Sequence, residues 1–364
     1  MRTVILILML VQMAGTAIAQ TADERARQMF GSLTLEQKVA QLFLVYHSPP
    51  EFMAEHGFGG SLVMESMVRD VAALEESIQV AGRLCAVPLL VAMDQEGGEI
   101  NRMRPLPGFE SVASAEEMAL WSADSVRTYL QPVARRLHQI GVNINLAPVL
   151  DPSINFDLQP TLMRSRQRAF GQHSGTIVPP ARAFMAGFSD HGIQCVVKHF
   201  PGYVVQENSD HEVAESLANR SALVGYVHPF ASCMDKAGGV MMSSILFSFV
   251  SDRPAVFDSN LVSLARCGFK NRLVMTDDLW GTALRSWVSG GEVQPADYPE
   301  EDLERLTLLA FEAGNDMLMI TYPAKAVLMK AILVEAVGAD PRLGESLDQS
   351  VYRILLLKAE LGLF

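Results

Sequence analysis

Short apolar runs, many rich in β-branched residues, alternate along the chain with longer segments in which apolar positions recur every three or four residues. Eight of the short runs read as strands: Leu42–Tyr46, Ser61–Glu65, Pro88–Met93, Val142–Pro148, Gln194–Lys198, Gly239–Ser243, Leu273–Asp277 and Asp316–Ile320. Helical periodicity fills most of the gaps, over Ser66–Leu84, Ala115–Ile140, Ile177–His191, Ala222–Ala237 and Asp302–Ala313, with Ala324–Val337 and Asp348–Leu361 as closing helices. Gly141, Gly192, Gly268 and Gly314 each follow a helical run just before the next strand, where a residue tolerant of the left-handed conformation stops a helix. Strand and helix alternating eight times predicts an α/β fold of the (β/α)₈ barrel type. The segment with Pro49, Pro50, Gly57, Gly59 and Gly60 predicts a short, irregular first β/α unit.

The first nineteen residues stand apart. Arg2 precedes the apolar run Val4–Leu10, and the stretch ends in Ala17-Ile18-Ala19 before Gln20, the pattern of a secretory signal peptide. The expectation is an exported protein, periplasmic or secreted, whose mature chain spans 20–364 as one barrel domain. No later window offers about 18 uninterrupted apolar residues, so no membrane span is expected after cleavage.

Composition narrows the function classes. With 49% hydrophobic and 19% charged residues the chain can bury a large core, which excludes disordered, collagen-like and coiled-coil classes. A net charge of −12 without a basic stripe argues against a nucleic-acid partner and leaves small ligands. Cys85, Cys195, Cys233 and Cys267 are widely spaced and lack clustered His partners, so no metal site is expected, and Cys195 reads as a core residue. No P-loop or G-x-G-x-x-G points to a cofactor; Gly97-Gly98 reads as a tight turn that lets Asp94 and Arg102 share a pocket.

In a barrel of this type the chemistry sits at the C-terminal ends of the strands. Asp94 and Glu96 follow the third run, Asp151 the fourth, Lys198 and His199 the fifth, and Asp277 and Asp278 the seventh. Several of these lie in longer motifs: Asp94-Gln95-Glu96-Gly97-Gly98 with Arg102, Leu146-Ala147-Pro148-Val149-Leu150-Asp151, and Arg168-Ala169-Phe170-Gly171. Lys198-His199-Phe200-Pro201-Gly202 with His211, Thr276-Asp277-Asp278-Leu279 and Ala313-Gly314-Asn315-Asp316-Met317 follow. Each is weak alone, but the ordered set, from about Leu33 to beyond Ile320, resembles the bacterial β-N-acetylglucosaminidases of glycoside hydrolase family 3.

The resemblance implies a retaining glycosidase acting on amino-sugar glycosides, with Asp277 as nucleophile and His211 as acid/base. Asp94, Arg102, Arg168, Lys198 and His199 are the implied sugar-binding groups. The chemistry is coherent: a strand-end carboxylate can attack the anomeric carbon, and an imidazole can pass a proton at neutral pH. Asp278 reads as a cap for the next helix, Asp151 and Asp316 as structural residues, and Lys198 and Arg168 also suit buried ion pairs with a barrel carboxylate.

Three departures from the family fall near the reacting centre. Ser209 stands where the family places the Asp that charges the acid/base His, and a hydroxyl cannot stabilise imidazolium by Coulomb attraction. Asp210, Glu207 or Glu212 are the loop carboxylates that would substitute for that Asp in a rewired loop, though Asp210, the immediate neighbour of His211, is expected to point elsewhere. Tyr203-Val204-Val205 replaces His-Gly after Phe-Pro-Gly, and Ser243-Ser244 replaces Ala-His after the sixth strand. Three readings follow: a hydrolase of terminal β-linked N-acetylhexosamine from peptidoglycan fragments or chitin oligosaccharides, a catalytically impaired sugar-binding or sensor protein, and a β-glucosidase-like hydrolase with a different acid/base.

Overall fold

The computed structural model describes residues 20–364; the expected signal peptide lies outside the described residues. Eight parallel strands form the central sheet: β1 Phe43–Tyr46, β2 Gly60–Val63, β3 Leu90–Met93, β4 Ile144–Asn145, β5 Gln194–Phe200, β6 Gly239–Met242, β7 Leu273–Met275 and β8 Leu318–Ile320. They pair in the order β7-β6-β5-β4-β3-β2-β1-β8. All eight predicted strands are present. Most are buried on both faces, as parallel strands enclosed by helices require.

The ring closes between β7 and β8, where the ladder thins to a single bridge, Met275 with Met317. Side chains complete this seam. Asp316 accepts from the Val274 N–H at 2.9 Å, Thr276 Oγ1 from the Met319 N–H at 2.9 Å, and Asp278 Oδ1 from the Thr321 N–H at 3.0 Å. The result is a (β/α)₈ barrel.

The predicted helices form, with two interruptions that periodicity did not show. Ser66–Leu84 is split because Asp70 caps a new helix, Val71–Leu84, through the Ala73 N–H. Ala115–Ile140 is likewise split by Ser122, which caps Ala123–Ile140. In both cases a side chain able to bind the backbone restarts the helix in the middle of an apolar pattern. Gly141 does take the left-handed conformation (φ 101°), and a Cβ there would lie 2.8 Å from Ile78 Cγ2. Gly268, by contrast, is the last helical residue of Ser259–Gly268, and Phe269 follows as the cap.

The first unit is short, as expected: Pro50–His56 is its only helix, and a Cβ on Gly59 would fall 1.9 Å from the Gln41 carbonyl oxygen. At the base of the barrel the last helix, Pro341–Glu360, places Lys358 fully inside the protein, where its Nζ donates to Gln41 Oε1 at 2.6 Å. Cys85, Cys195 and Cys233 are buried free thiols and Cys267 is exposed. Among the described residues no helix is long and apolar enough to cross a membrane.

Candidate active site

The C-terminal ends of the strands converge on one polar face. Strand β5 is the longest of the eight and is apolar from Cys195 to Val197, which carries the next two residues, Lys198 and His199, into the mouth of the barrel. The chain after β3 continues through Asp94 into a small hairpin, Gln95–Gly97 against Ile100–Asn101, turned by Gly97 (φ 90°) and Gly98 (φ 57°). This turn is the one expected from Gly97-Gly98.

Four charges lock together on this face. Lys198 Nζ lies 2.6 Å from Asp94 Oδ1 and 2.7 Å from Glu96 Oε1. Arg168 makes a bidentate pair with Glu96, at 2.8 and 2.9 Å. Two cations and two carboxylates thus balance, with Lys198 and Glu96 only 4% and 5% exposed. Burial works to raise the Glu96 pKa, but Arg168 and then Lys198 overcome it and hold the carboxyl well below the ordinary range. Burial also opposes the charge on Lys198, yet Asp94 and Glu96 raise its pKa above the usual lysine value. Glu96 is the organiser of this face; the sequence pattern puts it at a strand end but assigns it no role in the site. Its spacing of two from Asp94, which puts both on one side of an extended segment, was the available signal.

Asp151 organises the second cluster. It is fully buried and accepts from His199 Nδ1 at 2.6 Å, from the His199 N–H at 3.0 Å and from the Tyr203 N–H at 2.7 Å. One carboxylate therefore fixes both the ring of His199 and the start of the loop that follows β5.

Asp277 stands two residues past the end of β7, half-buried, with one oxygen accepting from the Asp278 N–H at 2.8 Å. Burial raises its pKa; His199 opposes the rise, Asp210 adds to it, and Lys198 opposes it. Asp278 does not cap the next helix. Its oxygens take the Trp280 and Thr321 N–H groups and the Thr321 hydroxyl, at 3.0, 3.0 and 2.6 Å, and Gly281 is the N-cap instead. Asp278 thus ties the β7 end to β8, and burial pushes its carboxyl up to about 6. Tyr46, at the end of β1, stands near Asp278, Thr321, Arg102 and Asp94; no motif in the sequence pointed to it. Arg102 is half-buried, and its Nε is out of solvent without a hydrogen-bond partner.

Comparison with known proteins decides the family. Residues 34–357 match the Glycosyl hydrolase family 3 N terminal domain. The chain belongs to glycosyl hydrolase family 3. It is 26% identical over 279 residues to a β-hexosaminidase of Idiomarina loihiensis, covering 74% of this chain and 78% of the relative. It is 28% identical to the β-hexosaminidase LpqI of Mycobacterium tuberculosis, covering 79% of this chain and 71% of that protein. The crystal structure of a β-N-acetylhexosaminidase from Beutenbergia cavernae superimposes with a TM-score of 0.74 at 27% identity, over 89% of this chain and 98% of that one.

Against the family pattern, the loop after β5 holds the differences. Ser209 is buried, and its N–H donates to the Tyr203 hydroxyl at 2.7 Å, while that hydroxyl donates to the Glu207 carbonyl at 2.6 Å. His211 is exposed, its N–H on the Asn208 carbonyl at 3.0 Å. Among the described residues no hydrogen bond joins Ser209 to His211. Asp210 is exposed, its N–H donating to Asn208 Oδ1 at 3.1 Å, and its charge is felt at Asp277 and Tyr203; among the described residues no hydrogen bond joins it to His211. Ser243 and Ser244, after β6, are both buried.

Proposed function

We propose that this chain removes terminal β-linked N-acetylhexosamine, N-acetylglucosamine above all, from peptidoglycan fragments or chitin oligosaccharides after export. The carrying observation is the placement of Asp277 at the mouth of the barrel, within reach of the charges of His199 and Lys198 and beside the neutral Asp94, Lys198, Glu96, Arg168 cluster. The names of the relatives support the same substrate class.

In this reading Asp277 attacks the anomeric carbon as the glycosidic bond breaks, and His211 gives a proton to the leaving oxygen. The glycosyl-Asp277 ester is then opened by water that gives up its proton to His211, restoring both groups. His199 and Lys198 favour the ionised, attacking form of Asp277 against burial and Asp210. Asp94 accepts sugar hydroxyls, while Arg102, Arg168, Lys198 and His199 orient the ring and the acetamido carbonyl. These steps call for no metal or organic cofactor.

The burial of Ser209 under Tyr203 favours one second reading, a sugar-binding protein with slow turnover, because the imidazole then lacks its charged partner. Hydrolysis of 4-nitrophenyl N-acetyl-β-glucosaminide alongside the β-glucoside distinguishes them. Turnover of the amino sugar that is abolished in Asp277→Asn and raised roughly tenfold in Ser209→Asp supports the hydrolase and the dyad argument. Calorimetric binding of N-acetylglucosamine without turnover in the native protein supports the second reading, and preference for the β-glucoside removes the amino-sugar assignment.

A further inference from the structure

At the N-terminal pole of the barrel, opposite Asp277, a cavity of about 460 Å³ opens between helices Ser259–Gly268 and Pro341–Glu360. Its ionisable lining residues are Arg266, Lys270 and Arg353, and no carboxylate lines it. One negative charge lies beneath. Asp316, fully buried, takes Arg266 Nη2 at 2.6 Å, Arg353 Nη2 at 2.8 Å and the Ser350 hydroxyl at 3.0 Å. Three cations face one carboxylate, Arg266 also meeting the Phe269, Arg272 and Gly314 carbonyls and Lys270 standing exposed at the rim, so positive charge is in formal excess by two in a chain whose net charge is −12.

The donors are not used up. Among the described residues Arg353 Nη1, Arg266 Nε and Lys270 Nζ make no hydrogen bond, and neither do the side-chain amides of Asn271 and Gln349, which also line the space. The two guanidinium groups are only 21% and 15% exposed, so water compensates little of their charge. Burial, together with the facing Arg353, pulls the Arg266 pKa below its ordinary value despite Asp316, as expected where negative charge is short.

We propose that this cavity binds a small phosphate monoester, its phosphoryl oxygens facing Arg266, Lys270 and Arg353 and its organic part filling the remaining volume. A phosphate monoester carries roughly −1.5 to −2 at neutral pH, which matches the charge left over. Planar guanidinium groups suit its oxygens. The cavity falls within the size range of small-ligand sites, so it has room for more than a bare phosphate. Its place at the pole remote from Asp277 makes it a separate site, independent of the glycosidase reading.

The test is calorimetry on the whole mature protein with glucose 6-phosphate, inorganic phosphate and glucose. The expected result is binding of the sugar phosphate roughly tenfold or more tighter than phosphate, with no binding of glucose at this pole. Lys270→Glu and Gln349→Glu, both at exposed lining positions, should each weaken the sugar phosphate by about tenfold or more, while Arg135→Glu, exposed on helix Ala123–Ile140 across the barrel, leaves it unchanged. Absence of binding by either phosphate, phosphate binding as tight as the sugar phosphate, or equal loss in Arg135→Glu would each overturn the assignment.

Discussion

Lys358→Met is expected to change how stability depends on pH, because the fold holds this amine without a counter-ion. Lys358 is fully buried, its Nζ donates to Gln41 Oε1, and burial pushes its pKa from 10.5 down to about 7. The unfolded chain therefore binds the proton first as pH falls, so the folded state loses stability between the ordinary lysine range and about pH 7 and nothing further below it. At about 1.4 kcal/mol per unit of pKa shift, the amine costs about 4 kcal/mol at pH 7 and about 2 kcal/mol at pH 9. Met has a similar volume and no charge, but leaves Gln41 Oε1 without its donor, a loss of about 1–3 kcal/mol at every pH. The difference between the native protein and the variant, from urea unfolding in each buffer, should therefore move by about 2 kcal/mol in favour of the native protein from pH 7 to pH 9. The Cys85 thiol and the amine feel each other's charge, so the comparison is made in a Cys85→Ala background, which leaves the difference to report on the amine. Parallel profiles, with a constant difference, would refute the assignment of a depressed lysine.

Glu96→Gln should lower unfolding free energy by about 3–5 kcal/mol, measured by urea titration, because it leaves Lys198 and Arg168 facing one carboxylate. Since the folded Glu96 pKa lies below its ordinary value, its stabilisation is complete above the ordinary carboxylate range and fades in acid, so native and variant stabilities should converge as pH falls. Asp210→Asn removes a like charge from Asp277 and should move the acid limb of kcat/KM toward lower pH; an unmoved limb would show that Asp210 does not reach the nucleophile.

The barrel was legible because its strands obey a simple rule: parallel strands buried on both faces must be apolar runs, and Leu42–Tyr46 or Pro88–Met93 have few other uses. Helix breaks at Asp70 and Ser122 were less visible, since a capping side chain acts through one hydrogen bond and does not disturb the apolar period. At the site, sequence pattern named Asp94, Lys198, His199, Arg168 and Asp277, which the fold gathers at one pole. It suggested a barrel carboxylate for Lys198 and Arg168 without singling out Glu96, and gave no means of seeing that Asp278 serves the β7–β8 seam rather than a helix. Those roles arise from contacts between residues separated by tens of positions, and pairing of that range leaves no local trace. The loop was the hardest case: the Tyr203 hydroxyl holds it through the Ser209 N–H, a backbone contact that side-chain identity does not announce.

That loop is fastened at two places. Asp151 holds the Tyr203 N–H, and the Val205 carbonyl takes the Leu162 N–H; further on, the Ala214 carbonyl takes the Leu246 N–H, and Glu215–Ser216 pairs with Leu246–Phe247. The stretch between carries Asp210 and His211 and is itself pinned, because the Ser209 N–H sits on the Tyr203 hydroxyl. Through Tyr203 the backbone beside His211 is thus strung to Asp151, so whatever loosens that one carboxylate also slackens the segment that bears the imidazole.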